Sequence, residues 1–244
     1  MRHHEIDQYA RLSPLNRFDP RVKIVSTIIL IVSVAFLTDP LAMLFCLAFL
    51  MVLIAVSNVP VKHIVKSYLL AFPFIAFASL AVFFSSGGAS APGMFLRITD
   101  SVLALLILVS TTPFFELLKA LRWFRVPMIV SSLLLFTYRF IFLLLDELER
   151  MKMARTARGF NGGRSILHKD ALRTIAYTAG MVLVRSNARA GNIYDALLSK
   201  GYTGEIRTLN GLRASPKDAA FAVSFFAVSI LAMSIQIGVI AWTP

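Results

Sequence analysis

The sequence predicts an all-α integral membrane protein, with about five transmembrane helices and a cytoplasmic domain of long helices. Three observations predict it. Of the 244 residues, 57% are hydrophobic and 16% charged, whereas soluble domains are about a quarter charged. Several apolar stretches approach the roughly 20 residues that a spanning helix needs. The net charge of +12 gathers beside those stretches, as Lys and Arg do in the cytoplasmic loops of membrane proteins. That placement explains the charge without nucleic acid as a partner.

Six stretches are long and apolar enough to consider: residues 22–37, 41–56, 64–84, 98–118, 126–145 and 219–242. The segment before them, 1–21, is polar and has no hydrophobic core, so no cleavable signal peptide is expected. Asp39-Pro40 separates the first two stretches and reads as a tight outside turn, because Pro disfavours helix at the residue before it. SSGGASAPG, residues 85–93, reads as a loop by its Gly, Ser and Pro content. Neither an internal repeat nor a low-complexity tract stands out. The single cysteine, Cys46, lies in an apolar run, which excludes an internal disulfide and a Cys-based zinc site.

Orientation follows from the basic residues. Arg11, Arg17, Arg21 and Lys23 place the N-terminus inside, and Lys62, His63 and Lys66 are then inside after two crossings. Lys119, Arg122 and Arg125 fall inside after four. The stretch 126–145 breaks the pattern, since residues 146–218 carry 13 Lys or Arg against 7 Asp or Glu. Both of its flanks are basic, and both cannot be cytoplasmic if it crosses. It is therefore expected to lie at the inner membrane face, with Arg139 in its middle, because a charge at the bilayer centre costs at least about 2.5 kcal/mol. This gives five crossings, N-terminus inside and C-terminus outside. The alternative is six crossings with both termini inside. The expected divisions are a cytoplasmic N-terminal segment, 1–21, a four-span bundle, 22–118, a cytoplasmic region, 119–218, and a last crossing, 219–242.

Within the cytoplasmic region one helix is expected from Pro127 to about Arg158, since neither Pro nor Gly interrupts it before Gly159. Asp146, Glu147 and Glu149 precede Arg150 and Lys152 at spacings of three or four, which supports an exposed helix. Gly159 reads as the residue just past the helix end. Ser165 is expected to cap a second helix, with Leu172, Ile175, Ala179, Val182 and Leu183 as its apolar stripe and Arg185 and Arg189 on another face. That helix, with a break near Gly180 or Gly191 left open, reaches Lys200 and stops at Gly201. Both helices thus end in a small residue, a cation and a glycine: Ala157-Arg158-Gly159 and Ser199-Lys200-Gly201, followed by Phe160 and Tyr202. A cation in a last turn suits any helix, because it meets the free carbonyls. Twice in one cytoplasmic region, it points to basic ends that dock in acidic grooves of a partner.

At these residues the chain resembles the CbiQ/EcfT-type transmembrane (T) component of energy-coupling factor transporters. The first end, within MARTARGF, is a close match to the family's Ala-Arg-Gly motif. The second, within DALLSKGYTG, departs from it: Ser199 stands for Ala and Lys200 for Arg, so bidentate pairing with a carboxylate is lost there. SPLNRFDPRVK and STTPFFELLKALRWFRVP also look like the family's pattern, and residues 6–23 look most like its cobalt and nickel branch. The resemblance implies a cytoplasmic coupling domain beneath a small membrane bundle. It implies docking of Ala157, Arg158, Gly159, Ser199, Lys200 and Gly201 on two ATP-binding-cassette ATPases, and a substrate-binding membrane subunit as a further partner, with a small additional membrane subunit left open. The expected setting is the bacterial cytoplasmic membrane, and the expected cargo is cobalt or nickel, a vitamin being the alternative.

No cofactor, resident metal or catalytic residue is expected. His3, His4, His63 and His168 are scattered without ligand spacing, and His3-His4 is more simply a solvated pair. An ordinary importer permease would present one coupling loop, whereas this chain offers two ends. A membrane-embedded enzyme would need an intramembrane constellation; Asp100 and Glu116 sit near opposite ends of one expected span and read as interfacial groups. A secondary transporter would need repeats and midplane charges.

Overall fold

The computed structural model describes residues 13–86, 90–159, 169–202 and 216–237. The expectations placed on His3, His4, Phe160, Ser165 and His168, and on the end of the last span at Trp242, lie outside these residues. Within them a 3-10 turn, Pro14–Arg17, is followed by eight helices: α1 (Pro20–Phe36), α2 (Pro40–Ser57), α3 (Val61–Ser86), α4 (Ala91–Thr111), α5 (Phe114–Trp123), α6 (Met128–Ala157), α7 (Lys169–Ser199) and α8 (Pro216–Gln236). The described residues fall into two compact units, those within Met1–Phe124 and Asn210–Pro244 and those within Arg125–Leu209.

Local chemistry sets the helix boundaries. Asp19 caps α1 by accepting from the Arg21 amide at 2.9 Å, with Pro20 at the first helical position, where its missing N–H costs nothing. Asn58 ends α2 in the left-handed region, φ 52°. Pro73 lies inside α3, as prolines do in membrane helices whose surroundings re-satisfy the freed carbonyl. Thr112 is extended (φ −126°, ψ 116°) because Pro113 follows it.

That proline corrects one expectation. The stretch 98–118 is not a single span: α4 ends at Thr111, and after Pro113 a separate helix, α5, carries Glu116 in its first turn and Arg122 in its last. The charges suit the helix dipole. At the other end the expected loop 85–93 is shorter than read, since α3 runs to Ser86 and α4 starts at Ala91, with Pro92 tolerated in the first turn. Asp100 consequently falls mid-helix and is 0% exposed, with neither carboxylate oxygen hydrogen-bonded. It is a buried group and not an interfacial one.

In the first unit α4 packs on α1, α2 and α3, and α8 packs on α1 and α2. The contacts use small side chains: Ser26 and Thr27 of α1, Ala42 and Cys46 of α2, Ala104 of α4, and Ser229 and Ala232 of α8 are all buried. Lipid tails are as apolar as Leu, so helices associate here by close van der Waals approach. Around these, Leu30, Val34, Met43 and Leu50 fill the centre, while Ile28, Val32 and Phe36, one turn apart on α1, stay exposed. Large apolar side chains thus cover the outside as well as the centre, the pattern of a bundle whose solvent is lipid.

By length and composition α2, α3, α4, α6 and α8 can cross a membrane. The expected five had residues 22–37 in place of 126–145. The 17-residue α1 extends about 26 Å at 1.5 Å per residue, just under a hydrocarbon core of roughly 30 Å. It is nonetheless built into the bundle, whereas α6 has Ser132 as its one buried residue and belongs to the second unit.

Polar ties close the first unit at the end where the chain enters. Ser13 donates to the Ser57 carbonyl at 2.7 Å, and the Asp19 amide donates to Asp218 at 2.8 Å. Lys23, 2% exposed, donates to the Thr111 carbonyl at 3.2 Å and to Thr112 Oγ1 at 3.4 Å. A cation thereby closes the C-terminal end of α4, where carbonyls lack amide partners.

Candidate functional site: two glycine-stopped helix ends

The expected helices α6 and α7 form, and α7 runs unbroken through Gly180 and Gly191. Their C-terminal ends share one design. At the end of α6, the Arg158 amide donates to the Arg155 carbonyl and the Gly159 amide to the Thr156 carbonyl, both at 3.0 Å. At the end of α7 the Gly201 amide donates to the Leu198 carbonyl at 2.9 Å and the Tyr202 amide to the Leu197 carbonyl at 3.0 Å. The second set is the paired 5→2 and 6→1 arrangement that turns the chain out of a helix. Gly159 and Gly201 sit at φ 82° and 74°, and a Cβ at either would meet nothing within 4 Å. Backbone conformation, not space, therefore requires glycine at both. Arg158 and Lys200 are exposed.

Three ties hold α6 to α7. Arg155 donates to Thr178 Oγ1. Further back along α6, Glu147 accepts from Arg185 and lies 3.7 Å from the Arg189 guanidinium. Further still, the rings of Phe136 and Tyr202 meet edge to face at 6.4 Å. Partners fall along α6 as they rise along α7, so the helices run antiparallel. Residues facing Lys200 on α6 thus lie near Phe136, and the two basic ends are separated by about 33 Å along the pair. The Arg185 hydrogen bond, reinforced by the charges of Arg185, Arg189 and Arg150 and opposed by partial desolvation, holds the Glu147 carboxyl below its usual range.

Two clefts of about 460 Å³ lie between the helices. One, beside the first end, is lined by Met151, Arg155, Arg158, Tyr177, Met181 and Arg185. The other, near the second end, is apolar, with Leu133, Phe136, Phe140, Ile193, Leu197 and Tyr202.

The sequence pattern misplaced the face that α7 turns to α6. Of the apolar stripe, Leu172, Ile175 and Leu183 are 53%, 54% and 72% exposed. The half-buried face is Thr174, Thr178, Val182, Ser186, Arg189, Ile193 and Leu197; its first four residues are short and permit close approach. Glu147 likewise reaches across to α7, although its spacing to Arg150 had suggested a pairing along its own helix. The signal for the true partner was the one-turn separation of Arg185 and Arg189. Among the described residues no three His, Cys, Asp or Glu side chains come together as a metal site would require.

Small-residue packing, a lipid-facing apolar surface and five helices able to cross define a multi-pass helical membrane protein, with a second unit built on one antiparallel helix pair. The profile of the CbiQ family, described as cobalt transport protein, matches residues 12–209, and the chain belongs to this family. It is 32% identical to the cobalt transport protein CbiQ of Rhodobacter capsulatus over 124 residues, 51% of this chain and 49% of that protein. It is 27% identical to the energy-coupling factor transporter transmembrane protein EcfT of Listeria innocua over 217 residues, 78% of this chain and 81% of that one. An uncharacterized protein of Methanocaldococcus jannaschii is 24% identical over 96% of this chain and 87% of its own length. The alignment with the Rhodobacter protein spans about half of that protein's length.

Proposed function

We propose that the chain is the transmembrane coupling subunit of an energy-coupling factor importer, passing the ATP-driven closure of two ATP-binding-cassette ATPases to a substrate-binding membrane subunit in the bacterial cytoplasmic membrane. It performs no chemistry itself; hydrolysis belongs to the ATPases. The observation that carries this reading is the pair of exposed, glycine-stopped cations at opposite ends of one antiparallel helix pair. Arg158, with Ala157 and Gly159, serves one ATPase, and Lys200, with Ser199 and Gly201, serves the other. A spacing of about 33 Å suits two separate acidic grooves better than one. The name of the Rhodobacter relative supports cobalt as cargo, with nickel close to it in chemistry. The EcfT relative, aligned over most of its length, carries no cargo in its name, which leaves a vitamin as the second reading.

Co-purification of the tagged chain in mild detergent tests the proposal. An ATP-binding-cassette ATPase and a small membrane subunit are expected with it, and recovery of the chain without any ATPase overturns the coupling role. Radioactive cobalt uptake by cells carrying the whole complex decides the cargo.

A further inference from the structure

Docking through Arg158 and Lys200 gives no part to Glu147, yet its position is not arbitrary. Glu147 precedes Arg158 by 11 residues, and Arg189 precedes Lys200 by 11 residues. Each basic end therefore lies about 16 Å along its helix from the same ion-paired carboxylate. Glu147 is the more enclosed member, with its side chain 12% exposed against 51% for Arg185 and 39% for Arg189. One oxygen faces Arg185 and the other Arg189, and the two guanidiniums stand one helical turn apart.

We infer that Glu147, held between Arg185 and Arg189 midway between the two basic ends, is the pivot on which α6 and α7 turn against each other. It is a positioning residue of the coupling step, and this rests on the docking reading above. A carboxylate offers two oxygens with several acceptor directions, and each guanidinium presents a fork of five donors. The pair can shift weight from one arginine to the other as the angle between helices changes, without letting go. Interdigitated apolar side chains would instead hold a single angle, because close-packed contacts do not deform continuously. The face around the pivot fits such motion: Thr178, Val182 and Ser186 are short, and the two clefts leave room on either side of the ion pair.

The test uses the full chain in lipid nanodiscs, with Cys46→Ser and spin labels at Thr156→Cys and Ala196→Cys, one label near each end. Adding Glu147→Gln is expected to broaden the distance distribution between labels, and an unchanged distribution overturns the pivot. In the complete complex, Glu147→Gln is expected to keep the ATPases bound and hydrolysing while substrate moved per ATP falls by about fivefold, the lower end of ordinary coupling between sites. Unchanged transport per ATP overturns the proposal. Glu147→Arg combined with Arg185→Glu is expected to restore part of the loss, whereas a swap as defective as either single change reduces Glu147 to an ordinary packing residue. The label measurement on the chain alone decides the pivot even if no ATPase binds, so failure of the docking reading shows separately as absence of ATPases from the unaltered complex.

Discussion

Arg158 and Lys200 differ in what each can hold. A guanidinium grips a carboxylate with two parallel hydrogen bonds, while an ammonium acts as a point charge. Arg158→Glu is expected to remove ATPase association and uptake while leaving the chain inserted, since losing one partner of a buried, hydrogen-bonded charge pair costs about 2–5 kcal/mol. Lys200→Arg is expected to be tolerated, Lys200→Glu to weaken the complex, and the double reversal to release the ATPases altogether. Co-purification of the ATPases with each variant checks the series; full binding by Lys200→Glu would show the second end to be an ordinary capped helix. Lys23 carries a different burden. It closes the end of α4 through Thr111 and Thr112, so Lys23→Ala leaves a buried carbonyl without its donor. The expected cost is about 1–3 kcal/mol, read as a lower midpoint in thermal unfolding in detergent.

The helix ends repeat that division between what a side chain does and what the backbone requires. Gly159→Ala and Gly201→Ala meet no clash, yet each is expected to cost about 1–2 kcal/mol for placing a Cβ in the left-handed region. Hydrogen exchange at the last turns of α6 and α7 reports the loss, and Asn at either position is expected to be milder. Such ends are legible in the sequence because a cation, a glycine and an uninterrupted run from Pro127 are local signals. The boundary between α4 and α5 was not. Apolar residues continue across Thr112-Pro113, so hydropathy alone joined two helices and displaced Asp100 towards an end it does not occupy. The α7 face was hidden for a related reason. Periodicity marks the apolar side of a helix, and here the side that packs mixes Thr, Ser and Arg with Val, Ile and Leu, so no continuous apolar stripe announces it.

For the chain as a unit, a topology measurement separates five crossings from six. On the proposal that 126–145 does not cross, a reporter fused after Gly163 is expected to read cytoplasmic and one fused after Pro244 to read outside; two cytoplasmic readings would sink that arrangement. The residues within Arg125–Leu209 are an insertion in the sequence of the first unit, not an appendage to it, because α8 returns to pack on α1 and α2. Asp218, at the start of α8, also receives the Asp19 amide, across 199 residues of sequence. This arrangement bears on synthesis. The ribosome completes α6 and α7 before it makes the helix that closes the bundle, so every interrupted chain leaves the small-residue faces of α1 and α2 open and the Asp19 amide without its acceptor. The order of elements thus makes a finished bundle the mark of a finished chain.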